Sequence, residues 1–381
     1  EIERALYAKV VKKCGNRNHW SDWANDIAKI ANTHITRIRT IVNNKRNTKE
    51  VAAFTAFVDE LRDDLNDSIT GEEVIEMLAQ HLITKPVFDA LFDNYSFASN
   101  NPVSKAMQQV LDILQEHRLD KEADTLTQFY KSVSMRAEGI SNAKGKQKIV
   151  VELYDKFFRN AFPKMTERLG IVYTPVEVVD FIIHSVNDLL QQEFNQTLGS
   201  KGVHIIDPFT GTGTFITRLL QSGLISKEQL PHKYNHEIHA NEIVLLAYYI
   251  AAINIEAVYH TVINEDVESN KHQYQSFKGI CLTDTFQLYE KDDLISELLA
   301  DNSDRRNRQK ALDIRVIMGN PPYFIGKGSI DYPQLDNRIR DTYVKQSNAN
   351  LAKGVHDSYI RAIRWASDRV GESGIVGFVT N

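Results

Sequence analysis

Apolar positions recur three and four residues apart through about the first 140 residues, which predicts one helix after another. Trp20 to Thr40 is one such amphipathic stretch. Thr70-Gly71-Glu72-Glu73 has capping-box spacing and opens a helix whose apolar face is Val74, Met77, Leu78 and Leu82. Met107, Val110, Leu111 and Leu114 repeat the pattern over 105–117, after Asn, Ser and Pro clusters near 95–103. The pattern changes after Ser141-Asn142-Ala143-Lys144-Gly145-Lys146, a short polar and basic boundary. A helix is expected from about Lys148 to Asn160, stopped near Pro163. From residue 171 short apolar runs alternate with helical patterns. Val203–Ile206, Glu237–Asn241, Ile280–Leu282, Ile314–Met318 and Gly374–Val379 read as buried strands; 176–190, 214–222 and 243–258 read as helices between them. This alternation predicts an α/β fold, a parallel sheet covered on both faces, preceded by an all-helical domain.

Composition changes this picture little. The apolar share of 42% suits a globular chain, and no stretch is expected to approach the roughly 18 apolar residues that span a bilayer, so no membrane partner is expected. A net charge of −5 neither announces nor excludes a nucleic-acid binder, because a basic groove can sit on an acidic protein. Cys14 and Cys281 are the only cysteines, which rules out a disulfide framework and a cysteine-rich zinc site and suits a reducing cytoplasm. The chain begins at Glu1 without a secretory pattern and stops at Asn381 directly after an apolar run, so an excerpt of a longer polypeptide is expected.

The first chemistry lies after the first strand. Asp207-Pro208-Phe209-Thr210-Gly211-Thr212-Gly213-Thr214-Phe215 is a glycine turn between a strand and a helix, the switch point where doubly wound sheets bind ligands. The spacing is not G-x-G-x-x-G and no G-K-[ST] follows, which argues against a dinucleotide fingerprint and a P-loop. A cofactor with a cationic centre fits better, with Asp207 placing negative charge near a sulfonium or ammonium group. Taken alone, Gly-Thr-Gly would be only a connecting turn. Glu242, at the carboxyl end of the second strand, could accept both hydroxyls of a ribose, or could be a solvated acid at the start of the next helix. His232, His236 and His239 are close in sequence, but a strand over 237–242 separates their faces, so no metal site is expected.

Asn320-Pro321-Pro322-Tyr323 follows the β-rich run Ile314–Gly319. Two prolines cannot continue a central strand, and they make a stiff corner at the carboxyl edge of the sheet. An aromatic amine is a poor nucleophile because its lone pair is delocalised. Two fixed acceptors, the Asn320 side-chain oxygen and the Pro321 carbonyl, would help it pyramidalise and offset the positive charge that builds on it. Tyr323 could stack on an extruded base, returning about 1–3 kcal/mol against the few kcal/mol that flipping costs.

These residues resemble the amino-directed S-adenosylmethionine-dependent DNA methyltransferases. Asp207 to Phe215 is similar to their cofactor loop, and Asn320-Pro321-Pro322-Tyr323 to their catalytic motif. Gly170-Ile171-Val172-Tyr173-Thr174-Pro175 resembles the segment over the methionine end of the cofactor, and its place before the glycine loop is the gamma-class order. The resemblance implies a Rossmann-like sheet, S-adenosyl-L-methionine as cofactor, a ribose acid matching Glu242 and an acid for the cofactor adenine amine matching Asp284. Tyr359 is the weaker match to an aromatic that packs on that adenine. The chain most resembles single-polypeptide Type I restriction-modification enzymes. That implies a helical coupler over 1–142 and a methyltransferase domain over 143–381, cut short at its C-terminal end. It also implies double-stranded DNA as partner, with helicase, nuclease and target-recognition domains elsewhere in a parent chain. Residues 325–355 form a long polar segment read either as a DNA-contacting or gating loop or as a solvated insertion. Methylation of protein glutamine or RNA, and a non-catalytic cofactor-binding coupler, remain alternative readings.

Overall fold

The computed structural model describes residues 17–91, 100–114, 174–264, 274–290, 297–323, 331–347 and 357–380. The expected boundary at 141–146 and the helix over 148–160 lie outside them. The chain forms two compact units, one comprising residues 1–59 and 69–168 and the other residues 60–68 and 169–381.

The first unit is helical, as its periodicity predicts. α1 (Arg17–Asn43) and α4 (Pro102–Leu114) pack on α3 (Gly71–Leu91), and α2 (Thr48–Asp64) begins here. α3 starts at the predicted capping box: Thr70 N donates to Glu73 Oε2 at 2.8 Å and Glu73 N donates to Thr70 Oγ1 at 3.2 Å. Val74, Met77 and Leu78 are buried and Leu82 is half-buried. α4 begins three residues before its expected start, because Asn101 accepts from Ser104 N and caps it.

Among the described residues the second unit holds five parallel strands in the order β3-β2-β1-β4-β5. They are β1 (His204–Asp207), β2 (Ile238–Glu242), β3 (Ile280–Leu282), β4 (Ile314–Gly319) and β5 (Ile375–Phe378). The connecting helices are α6 (Thr214–Gln221), α7 (Leu245–Asn264), α8 (Ala300–Ala311), α9 (Pro333–Ile339) and α10 (Ser358–Arg369), with α5 (Val176–Phe194) ahead of β1. β1 and β4 are neighbours although β2 and β3 intervene in sequence, so the strand order reverses between them. α5 lies on the face of Met318 and Gly377, which pair in register; a Cβ at Gly377 would meet Ile182 and Val186 at 2.9 and 3.0 Å. Ile206 and Ile317 point to the other face. There they join Tyr332, Leu335, Ile339, Ala362 and Trp365 in one buried cluster beneath α9 and α10.

Two expectations are corrected. α7 is long and apolar enough to cross a bilayer by length and composition, contrary to the reading that no stretch approaches this. Its apolar 18-residue window is 83% buried in the fold, so its hydrophobicity on all sides is that of a central helix. The described part of the polar 325–355 segment, residues 331–347, is largely helical rather than a loop, with one face packed into the core and the other exposed. α9 buries Leu335 and Ile339, and Glu290 caps it by accepting from Gln334 N and Leu335 N. Its charges are largely paired: Arg361 with Asp336, Arg338 with Asp368 and Lys345 with Asp341. Lys327 and Lys353 lie outside the described residues.

Residues 60–68 are held in the second unit by charge. Glu60 accepts from Leu298 N and Leu299 N just ahead of α8. Asp64 accepts from Asn302 Nδ2 at 2.6 Å and Ser303 Oγ at 2.8 Å and pairs with the buried Arg306. Removing one member of a buried pair strands the other. Arg306→Met is therefore expected to destabilise the protein by about 3–5 kcal/mol in denaturant unfolding, and a loss under 1 kcal/mol would contradict this role.

Candidate functional site

Four polar side chains stand at consecutive strand ends along the carboxyl edge of the sheet. In spatial order they are Asp284 after β3, Glu242 closing β2, Asp207 closing β1 and Asn320 after β4. A doubly wound sheet packs both faces with helices, so ligands meet it at this edge and at the strand-order reversal between β1 and β4.

Asp207 is buried. Its Oδ1 accepts from Phe209 N at 3.1 Å, and its Oδ2 has no hydrogen-bond partner. Burial pushes the carboxyl up to about 8, and the neighbouring Glu242 adds to the shift. The turn after it is fixed from several sides. Thr210 N donates to Asn241 O, Thr210 Oγ1 donates to Asp207 O, and Asn254 Nδ2 donates to Thr212 O. Gly211 and Gly213 have φ of +56° and +88°, the left-handed region that favours glycine. A Cβ at Gly213 would sit 3.3 Å from Ala251 Cα, so this glycine also lets the turn lie on α7. Around Gly211 the same atom would meet nothing within 4 Å, which leaves the backbone there open to approach. Phe209 packs its ring against Phe286 and Phe378, and Pro208 O accepts from Thr285 Oγ1 at 2.6 Å, tying β1 to β3.

Glu242 accepts from Gly211 N at 2.7 Å and from Val244 N at 2.8 Å, one bond on each oxygen. Burial still pushes it up to about 7. It is thus neither a solvated acid nor an isolated one. A carboxylate has about four lone-pair sites, so acceptor capacity remains for a ligand hydroxyl. Asp284 is buried more fully. Phe286 N and Gln287 N donate to Oδ1, while Tyr332 Oη (2.8 Å) and Asn66 Nδ2 (3.2 Å) donate to Oδ2.

Asn320 follows β4 beside the end of β1: a Cβ on Gly319 would lie 2.7 Å from Asp207 Oδ1. Its Nδ2 donates to Thr174 Oγ1 at 2.9 Å, and its Oδ1 is buried with no hydrogen-bond partner. Thr174 thereby fixes the carboxamide with its acceptor free. Pro175 is the N-cap of α5, so the start of that helix delivers Thr174. Pro321 is buried and Pro322 half-buried. Tyr323 donates its hydroxyl to Val379 O at 2.6 Å, and its ring lies 6.1 Å from that of Tyr359. The structure thus brings Tyr359 to the Asn-Pro-Pro-Tyr end, and the aromatic in contact with Asp284 is Tyr332. Tyr173 lies outside the described residues.

Tyr332 and Asn66 carry no motif and were missed in the sequence. The histidines go to separate partners: His232 to Glu237 and His239 to His204. Among the described residues no group of three or more His, Cys, Asp or Glu is placed to hold a metal ion.

Residues 19–145 match a family model described as the coupler domain of Type ISP restriction-modification enzymes. The solved structure of the Type ISP enzyme LlaBIII bound to DNA is 47% identical with a TM-score of 0.90, over 100% of this chain and 26% of that one. A nuclease-deletion mutant of the Type ISP enzyme LlaGI, in complex with a DNA substrate mimic, is 46% identical with a TM-score of 0.88, over 99% of this chain and 31% of that one. A DrdV–DNA complex is 34% identical with a TM-score of 0.83, over 96% of this chain and 35% of that one. The chain thus spans about a third or less of the length of these proteins. No curated protein gives a match. Residues 145–378 match the model described as N-6 DNA methylase, and with that match over more than half its length the chain belongs to the N-6 DNA methylase family.

Proposed function

We propose that this chain transfers a methyl group from S-adenosyl-L-methionine to the N6 amine of an adenine flipped out of double-stranded DNA. It would do so in the cytoplasm, as the coupler (1–142) and methyltransferase (143–381) portion of a longer restriction-modification enzyme. Helicase, nuclease and target-recognition domains would lie elsewhere in that enzyme. The observation that carries the reading is Asn320 Oδ1, a buried acceptor without a partner, held by Thr174 beside the β1 turn.

The edge fits the cofactor. Asp207 Oδ2 is a buried acceptor left open for a cationic group, and the backbone at Gly211 is free to be approached. Glu242 retains acceptor capacity for the ribose hydroxyls, and Asp284 is the acid on the adenine side. Thr174 and Pro175, with Tyr173 ahead of them, would border the methionine end; Pro208, Phe209 and Gly213 shape the turn. Tyr359 would pack beside Tyr323 and thus near the target base. When bound, the cofactor supplies an electrophilic methyl on a sulfonium. The protein's part is then positional and electrostatic. Asn320 Oδ1 and the Pro321 carbonyl accept the two N–H bonds of the target amine. They draw it toward pyramidal geometry and stabilise the positive charge it gains on attack. Pro322 stiffens the corner, and Tyr323, its hydroxyl anchored on Val379, offers its ring face to the base. No ionised general base is needed before attack.

The test is methylation by the full-length protein with labelled cofactor and DNA, followed by nucleoside analysis. Label in N6-methyladenine is expected. Asn320→Ala should lower turnover by about 10²–10³-fold while leaving cofactor affinity within a few-fold. Label confined to protein or RNA would overturn the reading.

A second expectation concerns pH. Asp207 and Glu242 rise from ordinary values of 3.8 and 4.5 to about 8 and about 7 in the fold. The native state then holds more protons than the unfolded state between about pH 4 and 8, so ligand-free stability should fall as pH rises across that window. A cation at Asp207 favours the ionised form, so cofactor affinity should rise from pH 6 to 8 with proton release. Asp207→Asn should flatten both profiles, as read by thermal unfolding and by calorimetry in buffers of different ionisation enthalpy.

A further inference from the structure

Asp284 is saturated by protein donors. An ionised carboxylate offers about four lone-pair sites, and here four donors use them: Phe286 N at 2.9 Å, Gln287 N at 3.4 Å, Tyr332 Oη at 2.8 Å and Asn66 Nδ2 at 3.2 Å. If a ligand amine is to bind this carboxylate, one donor must leave. Two are backbone amides at the start of a helical turn, fixed by the chain. Tyr332 makes the shorter bond to Oδ2 and is locked in the core against Phe286, with ring centroids 5.2 Å apart. Asn66 makes the longer bond to Oδ2, and a second acceptor, Gln287 Oε1, lies 3.5 Å from the same nitrogen. A small rotation of the carboxamide exchanges one acceptor for the other. Chemically the group is apt, since a carboxamide nitrogen and an aromatic 6-amino group are both planar NH₂ donors.

We infer that Asn66 is a place-holder for the amine of the cofactor's adenine. It satisfies Asp284 in the empty site and gives up that bond to the ligand, so that the segment Glu60–Ser68 responds to cofactor occupancy. The inference rests on the reading of Asp284 as the adenine-side acid. Its consequence is that residues inside the coupler match, not the methylase match, form part of the cofactor site. The segment is otherwise firmly tied. Thr283 Oγ1 donates to Asp64 O at 2.9 Å, and Asn66 Oδ1 accepts from Ser68 N at 2.8 Å. Binding at Asp284 therefore loosens one contact in a strap whose other contacts persist. By reciprocity, whatever loosens the strap must change cofactor affinity by the same factor.

The test uses the full-length protein with S-adenosylhomocysteine, which cannot react, and S-inosylhomocysteine, which lacks the 6-amino group. Asn66→Ser keeps an acceptor for Ser68 N but cannot reach Asp284; Asn66→Ala is the companion variant. Removing the competitor should tighten S-adenosylhomocysteine binding by about threefold to tenfold, the worth of one hydrogen bond. Affinity for S-inosylhomocysteine should not improve. In wild type, hydrogen exchange over residues 60–68 should quicken when S-adenosylhomocysteine binds. Unchanged or weaker binding in a variant that remains folded by circular dichroism would overturn the place-holder. Asp284→Asn separates the two claims. If it leaves S-adenosylhomocysteine affinity unchanged, the assignment of Asp284 fails first; if it weakens binding while Asn66→Ser does not tighten it, only the place-holder fails.

Discussion

The cost of burying carboxyl groups at the edge of a parallel sheet governs this half of the molecule. With both faces covered by helices, the carboxyl edge is where polar side chains can meet a ligand. Three of the four there are acids: Asp207, Glu242 and Asp284. A charge taken out of water without compensation is neutralised instead, so each acid must collect donors or hold its proton. The donors come chiefly from the turns. Gly211 N and Val244 N serve Glu242, and Phe286 N and Gln287 N serve Asp284. The turns are therefore shaped by the acids as much as the acids are carried by the turns. Gly211 can aim its N–H at Glu242 because it adopts a left-handed φ.

The same accounting separates the four side chains. Asp284 is complete, Glu242 has one donor on each oxygen, and Asp207 Oδ2 and Asn320 Oδ1 have none. A buried acceptor without a donor costs about 1–3 kcal/mol. Of the four, the two with an open acceptor stand at β1 and β4, the neighbouring strands between which the order reverses. They differ in kind. Asp207 holds a proton when empty because of burial, and a cation beside it would favour its ionised form. Asn320 cannot ionise, so it is suited to a neutral N–H that becomes positive during reaction.

Much of this was legible in the chain. All five strands fall on the runs of apolar residues that predicted them. β1 extends one residue further, to Asp207, because acids are disfavoured in strands yet the ladder here reaches it. The residue order around Gly211 and Asn320 carried the chemistry, since stiff turns are local. What was illegible is tertiary. Tyr332, Leu335 and Ile339 have the spacing of a buried helical face, but five charged residues of the same short stretch hid it; most of those charges are spent on partners such as Arg361 and Asp368. Asn66 meets Asp284 across 218 positions of sequence, and nothing near Asn66 announces its partner.

Residues 60–68 also show why a boundary drawn by sequence need not be a physical one. Glu60 is placed where the backbone amides ahead of α8 lack helical partners, and a carboxylate at a helix N-terminus is stabilised by those amides and by the helix dipole. One turn later, Asp64 faces Arg306, Asn302 and Ser303 of the same helix. Four-residue spacing on α2 thus reads two successive levels of α8, and Asn66 follows within reach of the β3 end. An apolar contact would tolerate sliding. A carboxylate with three directional partners does not, so Asp64 fixes the register and Asn66 inherits its position. The strap is accordingly a part of the methylase fold supplied by the coupler's sequence.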